Sequence, residues 1–410
     1  MKHRLCSIYG SIIALSTGMM YPKIALADDR VQVSGFSRIV AGYLNTDDAE
    51  FRGYKDDIQL SPNSLLGLQV NVQANEHISL TAQGILRADS NKDSGLEWFY
   101  ATLQPEDNLS FKVGKLRTPF FMHSDVLDVG YAYHWISPPP QMYNAFLFPT
   151  FEGINATYGH FGEHYDVSFE AYLGQHSGDI DLNNTRTQYD VEVLGGFITE
   201  VKRENLTFRA SIHQGDVDVS LPQLESLAAA LKNYSMFNKT VDALSSQSQI
   251  DVMQFGVRYD NLNYFTAAEW VKIKPNQKTF LPEIDTYYLT GGYAFDPVTV
   301  HVTYAKSKLR YSDFPSEVSD TLTNLPTSSP LYPGLSQAAY GLSTIENSRS
   351  SDSLNSWTIG ARWDVKPRLA LKADITFLHG NDGETAMFES IKDGFDRESQ
   401  LYQVAMEWVF

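Results

Sequence analysis

Three observations predict that this 410-residue chain is all-β, a transmembrane barrel of antiparallel strands. The last ten residues alternate to the final position. Tyr402, Val404, Met406, Trp408 and Phe410 share one face, and Leu401, Gln403, Ala405, Glu407 and Val409 share the other. A period of two marks a strand between two unlike environments, and a barrel wall between lipid and water supplies both. Alternating segments of this kind recur along the chain, joined by links that are alternately short and long. Mean hydropathy is negative, at −0.27, yet Tyr and Phe number 23 each. Strands with one wet face, and aromatic girdles at both interfaces, give that combination.

The amino-terminus reads as a secretory leader. Lys2, His3 and Arg4 are basic, the next stretch is mostly apolar, and Ala25-Leu26-Ala27 is a small-residue cleavage site. The expected leader is 1–27 and the expected single barrel domain is 28–410. The apolar part is too short and interrupted for a membrane helix, and no later apolar run reaches the roughly 18 residues that one needs. Cys6, the one cysteine, falls inside the leader, so the remaining chain is expected to have no disulfide and no thiolate metal site. Without Lys2, Arg4 and Lys23 the chain has 29 basic and 49 acidic residues, a net charge of about −20. That excess argues against nucleic acid, whose phosphates need clustered cations. It suits loops that attract cations.

Taken in order, the first strand covers about 31–43 and is followed by a long Asp- and Gly-rich link. Leu66, Leu68, Val70 and Val72 alternate with Gly67, Gln69, Asn71 and Gln73. Beyond the turn Asn75-Glu76, Ile78, Leu80 and Ala82 alternate with polar residues. A strand over 96–103 leads through Pro105-Glu106-Asp107-Asn108 to Leu109, Phe111 and Val113. Ile154, Ala156 and Tyr158 follow, then Val167, Phe169, Ala171 and Leu173. Tyr189, Val191 and Val193 set Asp190 and Glu192 on the opposite, inward face. Leu206, Phe208, Ala210 and Ile212 come next, then Met253, Phe255, Val257 and Tyr259. A strand over 264–274, another around Tyr287, Leu289 and Tyr293, and a third through Val298, Val300, Val302 and Tyr304 continue the rhythm. Trp357, Ile359, Ala361 and Trp363, then Leu371, Ala373, Ile375 and Phe377, precede the terminal strand. This gives sixteen strands in eight units of one polarity, or eighteen if a long link hides a hairpin. A barrel of this size encloses water rather than a side-chain core. A soluble sandwich also alternates, but the leader, the link rhythm and Phe410 favour the barrel.

The long links are expected on the extracellular side. Within 216–249, Leu221, Leu224, Leu227, Ala228 and Leu231 have helical spacing, so a short helix is expected over 221–234. The link 313–351 is rich in Ser, Pro and Thr and is expected to be a mobile surface loop. The link over 119–149 is different. It carries Phe120, Phe121, Tyr131, Tyr133, Trp135, Tyr143, Phe146 and Phe148 with Pro138-Pro139-Pro140, too many rings for a freely solvated loop.

The stretch 96–144, with its GKLRTPFF and DVGYAY elements, resembles Gram-negative porins of marine gammaproteobacteria. The leader, the strand rhythm and the terminal Phe410 extend the resemblance over the whole chain. It implies an outer-membrane homotrimer of sixteen-stranded pores that pass small hydrophilic solutes by diffusion, in contact with lipid and lipopolysaccharide. It also implies that the barrel-assembly machinery reads Phe410. It further implies that the third extracellular loop, 118–150, folds into the lumen, where an acidic loop opposes a basic ladder. Asp125 and Asp128 match the acidic part, with Tyr133 and His134 as polar lining.

Parity supplies the wall. Arg38, Arg87, Lys112, Arg209, Arg258, Arg362 and Lys372 fall on the more polar face of their strands, as do Glu170, Asp374 and Glu407. Arg38, Arg87 and Arg117 form the expected ladder, with Arg117 off strict parity. Opposed charges across a narrow lumen would order water and disfavour apolar solutes. The small residues Gly35, Ser37 and Ala41 on the outward face of the first strand fit a subunit contact. Two further functions are open, a substrate-specific channel and a purely adhesive or structural barrel. A substrate-specific channel could use the rings of the third loop to stack on sugars, or the arginines to hold phosphate or an organic acid. An enzyme is not supported, because the chain has no GxSxG, no HExxH and no metal-ligand spacing, and neither a cofactor nor a metal is expected.

Overall fold

The computed structural model describes residues 30–144, 148–182, 185–277, 279–349 and 352–410. The leader 1–27, with Cys6, and the ring of Phe146 lie outside the described residues. Sixteen strands form the wall. They are β1 (Val31–Leu44), β2 (Leu65–Gln73), β3 (Ile78–Arg87), β4 (Gly95–Glu106), β5 (Leu109–Arg117), β6 (Thr150–Phe161), β7 (Asp166–Leu182) and β8 (Thr185–Arg203). The second half comprises β9 (Leu206–Val219), β10 (Gln247–Asp260), β11 (Tyr264–Pro275), β12 (Glu283–Phe295), β13 (Val298–Arg310), β14 (Asp352–Lys366), β15 (Leu369–Gly380) and β16 (Glu398–Val409). Each strand pairs with its neighbours in sequence, and β1 closes the barrel onto β16 in antiparallel register.

The alternation read from the sequence becomes two faces. Leu68, Val113, Ile154, Ile212, Phe255 and Ile359 are exposed on the outside. Gln83, Asn155, Arg209, Gln254, Thr290 and Lys372 are buried on the inside. In water so wide an apolar band would aggregate, whereas hydrocarbon covers it without cost. A closed barrel also satisfies every ladder and leaves no edge, which lipid requires. No helix among the described residues is long and apolar enough to cross a membrane.

The terminal residue extends the closing ladder by one pair. The Gly35 amide donates to the Phe410 carbonyl and the Phe410 amide to the Gly35 carbonyl, each at 2.9 Å. The Phe410 ring covers Gly35 so closely that a Cβ there would lie 2.3 Å from it. Gly35 is therefore occupied within the chain and is not a free outward contact beside Ser37 and Ala41.

Two other expectations are corrected. Asp190 and Glu192 do not sit on the inward face. Pairing of β8 with β9 skips Glu192, joining Asp216 to Val193 and Val217 to Val191. That bulge reverses parity above it, so Tyr189 and Val191 are buried inside while Glu192 is exposed. The link before β14 is not an irregular loop either. It folds into helices Glu317–Asn324 and Tyr332–Ser348, which pack against each other. Leu335, Ala338 and Leu342 are buried along one side of the longer helix, with Ile345 packed beside them. The expected helix before β10 is present as Pro222–Leu231, with Pro222 in its first turn and Leu224 and Leu231 buried. Thr240 donates from its amide and its hydroxyl to Glu317, each at 3.0 Å, and so joins the two helical links.

Candidate functional site: the third loop and the inner wall

The link between β5 and β6, residues 118–149, holds several of the largest fully buried side chains among the described residues. Trp135, Phe120, Phe121, Ile136 and Met142 are almost completely covered. Phe120 meets Phe121, Phe148 and His213 edge-on, with ring centroids 4.8 to 6.2 Å apart. The rings therefore form a core and do not line a stacking surface. Burial, then the nearby Arg258 and Arg209, pushes His123 down to about 3, so the imidazole within this core is neutral.

The backbone of the link is fastened to inward side chains of the wall. Lys372 donates to the carbonyls of Gly130, Tyr133 and Trp135 at 2.8, 2.8 and 2.6 Å. An ammonium has three protons, so Glu407, 2.8 Å away, opposes it as a charge. Gly130 is required there, because a Cβ would come within 2.1 Å of the Glu407 carboxylate. Arg362 donates to the carbonyls of Tyr131 and Tyr133 at 2.7 and 2.9 Å and lies over the Tyr131 ring. Asp374 accepts from the Ile136 amide at 2.8 Å and faces His301 at 3.2 Å. Arg209 reaches the Pro119 and Phe120 carbonyls. Glu269 accepts from the Met122 amide at 2.8 Å and from the Tyr143 hydroxyl at 3.2 Å. Gln141 donates to Ser356 at 2.7 Å.

The expected ladder has partners too. Arg38 donates to the Asn63 carbonyl, the Tyr133 hydroxyl and the Ile136 carbonyl. Arg87 and Arg117 alternate with Glu97 and Asp128 in a ring of four charges. Arg87 meets Glu97 at 3.4 Å and Asp128 at 3.1 Å, and Arg117 meets Glu97 at 3.3 Å and also Asp128. Burial alone would raise the Asp128 carboxyl, but Arg117 and then Arg87 outweigh it and hold the group below its usual range. Asp128 is therefore a buried, paired acid and not a solvated pore-facing one. Glu97 is free to join because pairing of β3 with β4 skips it, a bulge that the sequence did not announce.

The other expected residues divide. Tyr133 is buried between Arg38 and the Leu127 carbonyl. His134 turns into the wall, bonds to Thr290 at 3.2 Å and packs on Trp135 and Phe265; burial, then His301, keeps it neutral. Asp125 alone among the loop acids is exposed. It lies in the electrostatic field of Lys112 and Glu170. Glu170 accepts from Asn155 at 2.6 Å, and Arg258 pairs with Asp260. Glu97 and Glu269 were not singled out from sequence. Glu269 was legible, since Trp270 beside it carries the lipid-side parity.

A family model of Gram-negative porins matches residues 13–384. The chain belongs to that family. It is a porin of the bacterial outer membrane, a water-filled barrel through which small hydrophilic solutes diffuse passively. Family and fold are those of channels rather than enzymes. Solved structures share the fold at low identity. OmpT of Vibrio cholerae matches with TM-score 0.54 and 10% identity, over 94% of this chain and 99% of that one. An anion-selective porin from Comamonas acidovorans matches with TM-score 0.54 and 12% identity, over 93% and 99%. The channel DcaP of Acinetobacter baumannii matches with TM-score 0.53 and 10% identity, over 93% and 97%. A comparison with curated proteins returns no match.

Proposed function

We propose that the third loop of this porin lies across the lumen as a fixed partition, and that solutes pass between Asp125 and the wall of β5 to β8. The observation that carries this reading is the set of buried ties from Lys372, Arg362, Asp374, Arg209 and Glu269 to the loop backbone. These five side chains sit on the inward faces of four strands, β9, β11, β14 and β15, so the loop bridges the barrel's interior. Lys112, Asn155, Glu170 and Glu200 supply mixed charge on the facing wall, and Asp125 supplies the loop's exposed acid. Such a passage excludes apolar solutes and discriminates weakly by sign. Arg38, Arg87 and Arg117 then act as fasteners of the loop, not as a free ladder. The chain works as a homotrimer in this reading; one OmpT structure is described as a trimer form.

The test is single-channel recording of the refolded protein in a planar bilayer with a salt gradient. Stepwise triplet conductance is expected, and Asp125→Asn should move the reversal potential toward anions. Folded barrels that carry no current would sink the reading.

A further inference from the structure

The mouth of the barrel holds a second charged space, above the ring of Arg87, Glu97, Arg117 and Asp128. A cavity of about 180 Å³ lies between the first three long links. That is room for about six waters, or for a small anion. Four cations line it: Arg38 from β1, Arg52 from the β1–β2 link, Arg87 from the end of β3 and Lys92 from the β3–β4 link. Asp128 is the one acid on its surface, and both its oxygens are already engaged by Arg87 and Arg117. A concentration of positive charge in a chain of net charge −17 is unexpected from composition.

Arg52 is the telling residue. Its backbone is left-handed, with φ of 53°, a conformation that side-chain-bearing residues adopt only under constraint. The guanidinium is half-buried and, among the described residues, makes no side-chain hydrogen bond; it feels the field of Glu389 as well as that of Arg38. Arginine carries five donors and keeps its charge; beside Arg38 and Lys92 it adds to a positive field that a bound anion would relieve. Lys92 is held to the Pro62 carbonyl at 2.7 Å and to Asp89 at 3.3 Å, with its ammonium at the cavity wall. Arg38 is likewise positioned by Asn63 and the third loop.

We propose that this cavity binds a small multiply charged oxyanion, a phosphate or a short dicarboxylate, with Arg52 and Lys92 as its principal contacts and Arg38 and Arg87 as supporting charge. The site would concentrate such anions at the mouth, despite the acid excess of the whole chain. It names a solute class for the channel and so rests on the channel reading. Forked guanidinium contacts suit both oxyanion geometries.

The experiment titrates the refolded, detergent-solubilised chain with inorganic phosphate, and separately with malonate, by isothermal calorimetry. Bilayer current in chloride is recorded on the same preparations. One saturable site per chain is expected, weakened at least tenfold by Arg52→Gln and by Lys92→Gln. Arg52→Lys should retain part of the affinity, and Lys232→Gln on the exposed helical link should retain all of it. Far-UV circular dichroism checks that each variant is folded. A conducting chain with no saturable binding overturns this site and leaves the channel intact. Binding without current overturns the channel and keeps the site. Binding that survives both glutamine substitutions places the anion elsewhere and overturns the assignment.

Discussion

Lys372 is the residue on which the third loop depends most. It is buried, its three protons go to three loop carbonyls, and Glu407 balances its charge. Removing one member of a buried pair leaves the other uncompensated, at about 3–5 kcal/mol. Lys372→Met should therefore lower the stability of the folded barrel in guanidinium titration by that amount, and adding Glu407→Gln should recover part of it. Unchanged stability in the single variant would show that the pair is dispensable. The ring around Asp128 has its own pH signature. Its carboxyl lies below the usual range, so its contribution is complete above the unfolded value of about 4 and is lost as pH falls through the lower folded value. In guanidinium titrations the stability that the ring contributes should be complete from pH 7 to 5 and be lost only below about pH 4; Asp128→Asn should remove that part of the acid loss. Lys92 works in the opposite range. Burial, and then Arg52, pushes its ammonium down to about 8, while Asp89 opposes the shift. Arg52, Arg38 and Asp89 are the charged groups that act on it. Affinity for malonate, whose charge is constant there, should fall as pH rises through about 8. The loss should be roughly tenfold, as expected for one charge-assisted hydrogen bond.

At the scale of elements, bulges decide where functional side chains go. Period two carries every strand onto the right pair of faces until a residue is skipped, and then every later side chain changes face. The skip at Glu192 turns Tyr189 and Val191 inward, and the skip at Glu97 releases that acid to two arginines. Neither is visible in local alternation, because a bulge is set by the partner strand. The helical links teach a different lesson. Leu335, Ala338, Leu342 and Ile345 follow steps of three, four and three, and Val318, Leu322 and Leu325 follow steps of four and three. Those patterns were present in a segment whose Ser, Pro and Thr content suggested an irregular loop; periodicity outranks composition here. Leu342→Ala should cost about 2–5 kcal/mol of local stability and speed protease cleavage within that link, which gel analysis of the folded barrel would reveal. The third loop invites a direct test. Gln141 and Ser356 touch at 2.7 Å, and the chain beyond Cys6 has no cysteine of its own. The pair Gln141→Cys and Ser356→Cys should be bridged by a short bifunctional thiol reagent, which spans more than the direct disulfide would, with little change in conductance. A failure to cross-link would place the loop outside the barrel.

For the whole molecule, the sequence by itself determined the class and the membrane and put the strand number at sixteen or eighteen; the closed sheet decided for sixteen. Lipid, water and the closed hydrogen-bond ladder each impose a constraint that repeats along the chain, and a repeated constraint leaves a repeated pattern. Sixteen alternating segments and one terminal aromatic carried that pattern openly. Parity likewise placed Arg38, Lys372 and Asp374 on the polar side of their strands. The partners of those charges were settled by tertiary structure alone. Arg38 meets Tyr133 across 95 residues and Lys372 meets Gly130 across 242, and no local period encodes separations of that length. The sequence presented an acidic loop and basic walls; only the closed barrel paired Asp128 with Arg117 and Arg87, left Asp125 exposed, and gathered Arg52 and Lys92 from separate links into one cavity. Burial decides such matters, because a charge taken from water must find a partner within reach, and reach is a property of the folded chain.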